Sequence, residues 1–463
     1  MNSSPDVAAR NLGGRHEADE TIRGIVPAIA PGIVLGITPE VAPEATLEIP
    51  TGKAKPGSTE FRLMLSLCMA LGALAIDLML PAFPEIRVDL GLAKGSPAVA
   101  GLVTFFLFGM ALGQIPAGLL TDRFGRRVVL QSALGCIIVS SIVAGLSPSL
   151  PLMLAVRLVW GMCSGAVRVI IMAAVRDTFS GAAMAKEMSF IMAVFFVAPI
   201  LAPSLGAVIV SIANWRAAFF TCTGAGVLLL VWITARFPET LVVQKRRPIS
   251  LVSVSSAAKA IGKSRRTVWL LISNVVLMGA FSGYIAGSQQ IFDEVFDQRK
   301  AFPILFGAMA AVMAIGTITN GRLVVRLGLT HLIGVLSNSY LVGGVSLFVL
   351  SIATHGKPPL WLFLVLLALT IASHSTLLTN VNSSAIEPLG ALAGTAAAVL
   401  GSTSMAIGSI LGGITSNRFD GTVTPLTTAF ALAAVLSAIF IRIAHHGITP
   451  YVAPQGLNPE YRR

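Results

Sequence analysis

Residues 118–130 read GLLTDRFGRRVVL and residues 321–333 read GRLVVRLGLTHLI. Each is a short, charged, glycine-punctuated passage between long apolar stretches. A slide of 203 residues superposes Gly118 on Gly321, Leu120 on Leu323, Arg123 on Arg326 and Gly125 on Gly328 without a gap. Self-similarity at a fixed offset marks internal duplication. The same offset carries residue 61, where the first long apolar stretch opens, to residue 264, beside the opening of the seventh. Two related halves follow.

The stretches around these passages are long enough to cross a bilayer, which takes about 20 apolar residues. Twelve meet that length: 61–83, 98–118, 127–147, 151–175, 188–212, 216–235, 267–290, 302–324, 330–353, 359–379, 392–414 and 425–443. Composition agrees, with 55% of the 463 residues hydrophobic and only 12% charged, against about 25% charged in soluble domains. A soluble multidomain enzyme is disfavoured. The predicted fold is all-α, a polytopic membrane protein of twelve transmembrane helices in two pseudo-symmetric six-helix bundles. Its expected organisation is an N-terminal tail over 1–56, bundles over 57–240 and 267–447, a basic linker over 241–266 and a C-terminal tail over 448–463. Residues 1–30 hold no continuous apolar run behind a basic start, so no cleavable signal peptide is expected. Cys68, Cys136, Cys163 and Cys222 all fall within spans and lack ligand spacing, so neither disulfides nor a metal site are expected.

The net charge of +12 raises the question of an anionic partner, and the placement of the cations answers it. With both termini on one side, 24 of the 33 Lys and Arg fall in segments on that side and 7 in the opposite loops. The positive-inside rule then sets N and C termini in the cytoplasm. The cations need bind nothing more specific than the membrane's anionic surface, and no nucleic acid is implied. Two remain within spans, Arg157 and Arg168.

Ionisable groups inside a bilayer are costly and point to function. Asp77 is the one acid away from span ends. It lies about six residues from the end of the first predicted span, and Arg157 about six from the start of the fourth, so both sit roughly 9 Å deep. A proton-handling pair or a static tie between helices fits that placement. Arg168 follows Arg157 by eleven residues, nearly the same helix face, and reads either as cavity-lining or as snorkelling toward the interface. His374, set among Ser373, Ser375 and Thr376, is a titratable group or a hydrogen-bonded structural one. Tyr284 and Gln289 are further cavity-lining candidates, able to bind cargo or to join helices. In the passage from Gly118, Asp122 sits among Arg123, Arg126 and Arg127, and an acid at a helix terminus attracts helix dipoles and cations. That passage reads as a gating relay that latches the halves together. In the fifth span, FFVAPILAPSLGAVI from Phe195 spaces Pro199, Pro203 and Gly206 for kinking and close packing.

The pattern Gly118, Asp122, Arg123, Gly125, Arg126, Arg127 closely resembles the signature loop of the major facilitator superfamily. The proline run resembles that superfamily's antiporter motif, with Ala198 in place of the usual glycine. AIDLMLPAFPEI from Ala75, VRDTFSG from Val175, RFPETL from Arg236 and YIAGS from Tyr284 resemble the Bcr/CflA drug-efflux family over about residues 61–440. Gln289 stands where that family has proline, Trp160 where it has glutamine, and Arg168 lies a turn before an expected arginine that is Met172 here. The resemblance implies proton-driven export of drugs or drug-like metabolites across the bacterial inner membrane. Protons are the coupling ion, no further cofactor is needed, and Asp77 and Arg157 handle proton and substrate. A single chain in the lipid, acting on a small molecule, is the expected unit. Export of an endogenous nucleoside or amino-acid derivative is the alternative, and a non-transporting sensor the less favoured one. No enzymatic constellation lies at membrane depth, so catalysis is not expected.

Overall fold

The computed structural model describes residues 52–246 and 248–446. The tail segments 1–51 and 447–463, and with them most of the two predicted tails, lie outside the described residues. All regular structure described is helical. The first bundle contains α1 (Thr59–Asp77), α2 (Phe83–Asp89), α3 (Gly101–Phe124), α4 (Arg126–Gly145), α5 (Leu150–Thr178), α6 (Gly181–Ile212) and α7 (Trp215–Arg236). A short helix, α8 (Val252–Lys263), interrupts the linker. The second bundle contains α9 (Arg265–Gln290), α10 (Phe302–Leu327), α11 (Leu329–Ala353), α12 (Leu360–Ile386), α13 (Ala393–Asn417) and α14 (Thr424–His445). Twelve segments among the described residues are long and apolar enough to span, with α1 and α2 sharing one, α8 taking none and each of the other helices taking one.

Packing repeats as the sequence does. In the first half α1 lies on α6, α3 on α5 and α4 on α7, and in the second α9 lies on α13, α10 on α12 and α11 on α14. The equivalent glycines behave alike. Gly125 and Gly328 end α3 and α10 with φ of +95° and +77° and also cap the helices that follow. Such backbone is open to glycine at little cost. The halves meet along α3 with α13 and α6 with α10. Large apolar side chains such as Leu228, Val231, Val325 and Val365 stay exposed on the protein surface, as a lipid-facing belt requires.

The first span differs from its expected form. It runs from Thr59 to Asp89 but is broken: α1 stops at Asp77, a 3-10 turn covers Leu80–Ala82, and α2 resumes at Phe83. Pro81 and Pro84 explain this, because each lacks the N–H that a helix would use to bond the carbonyl four residues back. Asp77 therefore sits at a helix break, twelve residues from the span's end rather than six.

Candidate functional site

The break at Asp77 leaves last-turn carbonyls of α1 without helical partners. One is taken by a side chain from another helix: Arg157 Nη1 donates to Ala75 O at 3.0 Å, and its Nε to Leu102 O at 3.2 Å. The guanidinium carbon lies 4.3 Å from the Phe106 ring centre and 4.9 Å from that of Trp160. Arg157 is fully buried. The expected Asp77–Arg157 ion pair is not formed, because backbone carbonyls and aromatic faces take the cation instead. Arg157 ties α5 to α1 and α3 next to the break.

Asp77 itself is buried and has neither a hydrogen bond nor an ion pair to any described residue. On its own side, α6 packs on the break, where Gly206 sits so close to Leu78 O that any Cβ would collide with it. The run containing Pro199, Pro203 and Gly206 lies within one continuous helix. In the second half, Tyr284 of α9 is buried and carries a hydroxyl. That hydroxyl is buried without a partner, and its ring stacks on Phe306 at 5.7 Å and 8°.

The other candidates fall into distinct settings. His374 is fully buried among rings, 5.2 Å from Phe281 and 5.5 Å from Tyr340, with both ring nitrogens unpartnered. Gln289 is buried and donates to Asp293 at 3.1 Å, so it braces its own helix end. Gln290 reaches across the halves to Gly95 O at 2.6 Å. Asn320 and Asn380 exchange two amide hydrogen bonds of 3.0 and 2.9 Å between α10 and α12. Arg168 is exposed although it shares the face of α5 with the buried Arg157 and Ser164, eleven and four residues before it, and no described group bonds it. It faces internal space between the helices.

The loop from Gly118 forms a compact charge cluster, within the first half alone. Arg126 is buried and pairs with Asp122 at 2.6 Å and with Asp177 at 2.7 Å. Glu239 accepts from the backbone N–H of Arg126 at 2.8 Å and of Arg127 at 3.2 Å, which caps α4 where its dipole favours an anion. Gly125 leaves the space that the Glu239 carboxylate fills. Arg127 donates to Thr234 O at 2.7 Å, whereas Arg123 lies over Phe124 at 5.9 Å. Gly118 has open space where a side chain would begin. Among the described residues these side chains make no ion pair across the halves in this state, and a latch that releases on reorientation would form in another one. Asp177 and Glu239 went unassigned in the sequence, although VRDTFSG and RFPETL display them, because their partners lie 51 and 113 residues away.

The halves are joined at the opposite face, where Arg87 pairs with Glu294 at 3.3 Å. A π-helical turn at Ile291–Val295 ends α9 and carries Glu294 there. A face sealed in this way, two related bundles of six spans and a buried acid with no partner among the described residues define a polytopic membrane transporter. The chain belongs to the Major Facilitator Superfamily, whose sequence pattern matches residues 65–413. It is 28% identical to the uncharacterized MFS-type transporter YdgK of Bacillus subtilis over 85% of this chain and 96% of that one. It is 26% identical to the bicyclomycin resistance protein homolog of Haemophilus influenzae, over 82% of this chain and 94% of the relative. It is also 25% identical to multidrug resistance protein D of Escherichia coli, with 83% and 97% covered. Among solved structures, a D-xylose-proton symporter superposes with a TM-score of 0.69 at 13% identity, over 82% of this chain and 96% of the other, which speaks for the fold alone.

Proposed function

We propose that this chain exports drug-like small molecules across the bacterial inner membrane in exchange for protons, as a single chain alternating access between its halves. Both termini lie in the cytoplasm, so the Asp122 face is internal and the Glu294 face external. The observation that carries the reading is Asp77: a buried acid at a helix break, with no hydrogen bond or ion pair among the described residues. Such a carboxyl is free to exchange a proton with whichever side the cavity faces. Arg157 fixes the broken helix end and so holds the carboxyl in place. Relatives named for bicyclomycin and multidrug resistance support the direction and class of cargo.

Everted membrane vesicles test the proposal. Uptake of a drug-like dye into vesicles expressing the protein should follow an imposed pH gradient. Asp77→Asn should abolish that dependence while the protein remains inserted in full amount. Retention of gradient-dependent uptake by the Asn variant overturns the coupling role of Asp77.

A further inference from the structure

Arg168 lies ten residues before the end of α5, at a depth of about 15 Å from the Asp122 face. Gln114, ten residues before the end of α3, marks the same level, and there it donates to Met405 Sδ of α13 at 3.5 Å. Arg168 therefore stands level with a contact between the two halves. Eight residues further, about 12 Å along the helix, comes Arg176. It is exposed, and a Cβ on Gly394 of α13 would stand 3.5 Å from its Nη1. Arg176 donates only to Met172 O of its own helix. Two unpaired guanidinium groups thus mark a path from the Asp122 face inward.

The acids of that face offer them nothing. Among the described residues, Asp122 and Asp177 are held by Arg126, Glu187 by Arg62, Glu60 by Arg236, and Glu387 by Arg266. Glu239 is engaged by the amides of α4. Asp77 lies deeper and is nearly closed off. An unpaired guanidinium at membrane depth is costly, and its rigid fork of donors matches a carboxylate bidentately. A cavity lined by low-dielectric walls and one sign of charge also concentrates ligands of the opposite sign.

We propose that Arg168, with Arg176 at the mouth, forms an anion-binding wall of the transport cavity, so that preferred cargo carries a carboxylate or similar anionic group. The proposal rests on the reading of this space as a transport cavity and adds the charge of the cargo to it.

Thermal stabilisation of the purified full chain in neutral detergent reads the site directly. The probes are 2-naphthoate and its methyl ester, which differ by one charge. The acid should bind at least about tenfold more tightly than the ester, the magnitude of one charge-assisted contact, and added salt should weaken only the acid. Arg168→Ala should bring acid binding down to the level of the ester, and the unfolding temperature without ligand reports that the variant is folded. Arg168→Lys should keep part of the preference. Should the Ala variant fail to fold, Arg168→Gln retains the bulk without the charge. Equal binding of acid and ester by the unmodified protein, binding of neither, or a preference that survives loss of the guanidinium overturns the proposal. Vesicle transport separates this from the export reading. Acid binding without proton-driven movement overturns export and keeps the anion site, whereas equal export of acid and ester keeps export and overturns the anion site.

Discussion

Arg157 answers the cost of a charge in the membrane with four neighbours: two carbonyl oxygens on separate helices and the faces of two rings. The geometry needs a planar fork, so lysine is not an equivalent replacement. Arg157→Ala would leave Ala75 O without a donor beside the helix break and remove the stacked cation. A loss of roughly 2–3 kcal/mol is expected from an unsatisfied buried acceptor and the lost cation–π contacts, visible as a lower unfolding temperature in detergent. Arg157→Lys should fall between. A variant as stable as the parent would show that these bonds do not hold the break. The sequence made Arg157 and Asp77 conspicuous because charges are rare inside spans. It did not reveal that they avoid one another, since the carbonyl that takes Arg157 is freed only by the break, and backbone acceptors leave no trace in residue identity.

At the scale of elements, the duplicated turns of α3 into α4 and of α10 into α11 form an internal experiment. Gly125 and Gly328 share positive φ and extended ψ, a region that costs side-chain-bearing residues about 1–3 kcal/mol. Only at Gly125 is the Cβ position filled by a carboxylate; at Gly328 it is empty. Gly328→Ala should therefore cost the strain alone. Gly125→Ala should cost more, because Glu239 must leave the amides of Arg126 and Arg127, and Glu239→Ala in the Gly125→Ala background should add little further. Unfolding temperatures of the four proteins check this, and equal losses at the two glycines would refute a capping role for Glu239. Helix number and both glycine turns were legible in the sequence because hydropathy and the repeat encode them locally. The break in the first span was not, since helices in lipid tolerate proline when neighbours re-satisfy the backbone, and only the structure shows that here two prolines end the helix. The clustering of Asp177 and Glu239 around Arg126 was likewise hidden, because it requires the ends of α5 and α7 to meet at one loop.

For the whole molecule the question is which contacts hold the halves in the state described. Among the described residues, Arg87–Glu294 is the ion pair that crosses between them, and Gln290 to Gly95 O lies beside it. Both sit on the Glu294 face. The other ion pairs each stay within one half. Alternating access requires these crossing contacts to break when the Glu294 face opens. Arg87 is largely buried and Glu294 about a quarter exposed by side chain, so the pair should contribute about 1 kcal/mol, above the weakest surface pairs. Removing it with Glu294→Gln should shift the balance toward opening by about fivefold, since roughly 1 kcal/mol corresponds to that factor. Spin labels at Lys94 and Arg299, one in each half on this face, would report the shift as a growing long-distance population. Reversing both charges, with Arg87→Glu and Glu294→Arg, should restore the short distance, whereas either reversal alone should open the face further by placing like charges together. If the distance distributions of all these variants coincide with that of the parent, the seal lies in the helix packing of α3 on α13 and α6 on α10, and the ion pair follows the motion without governing it.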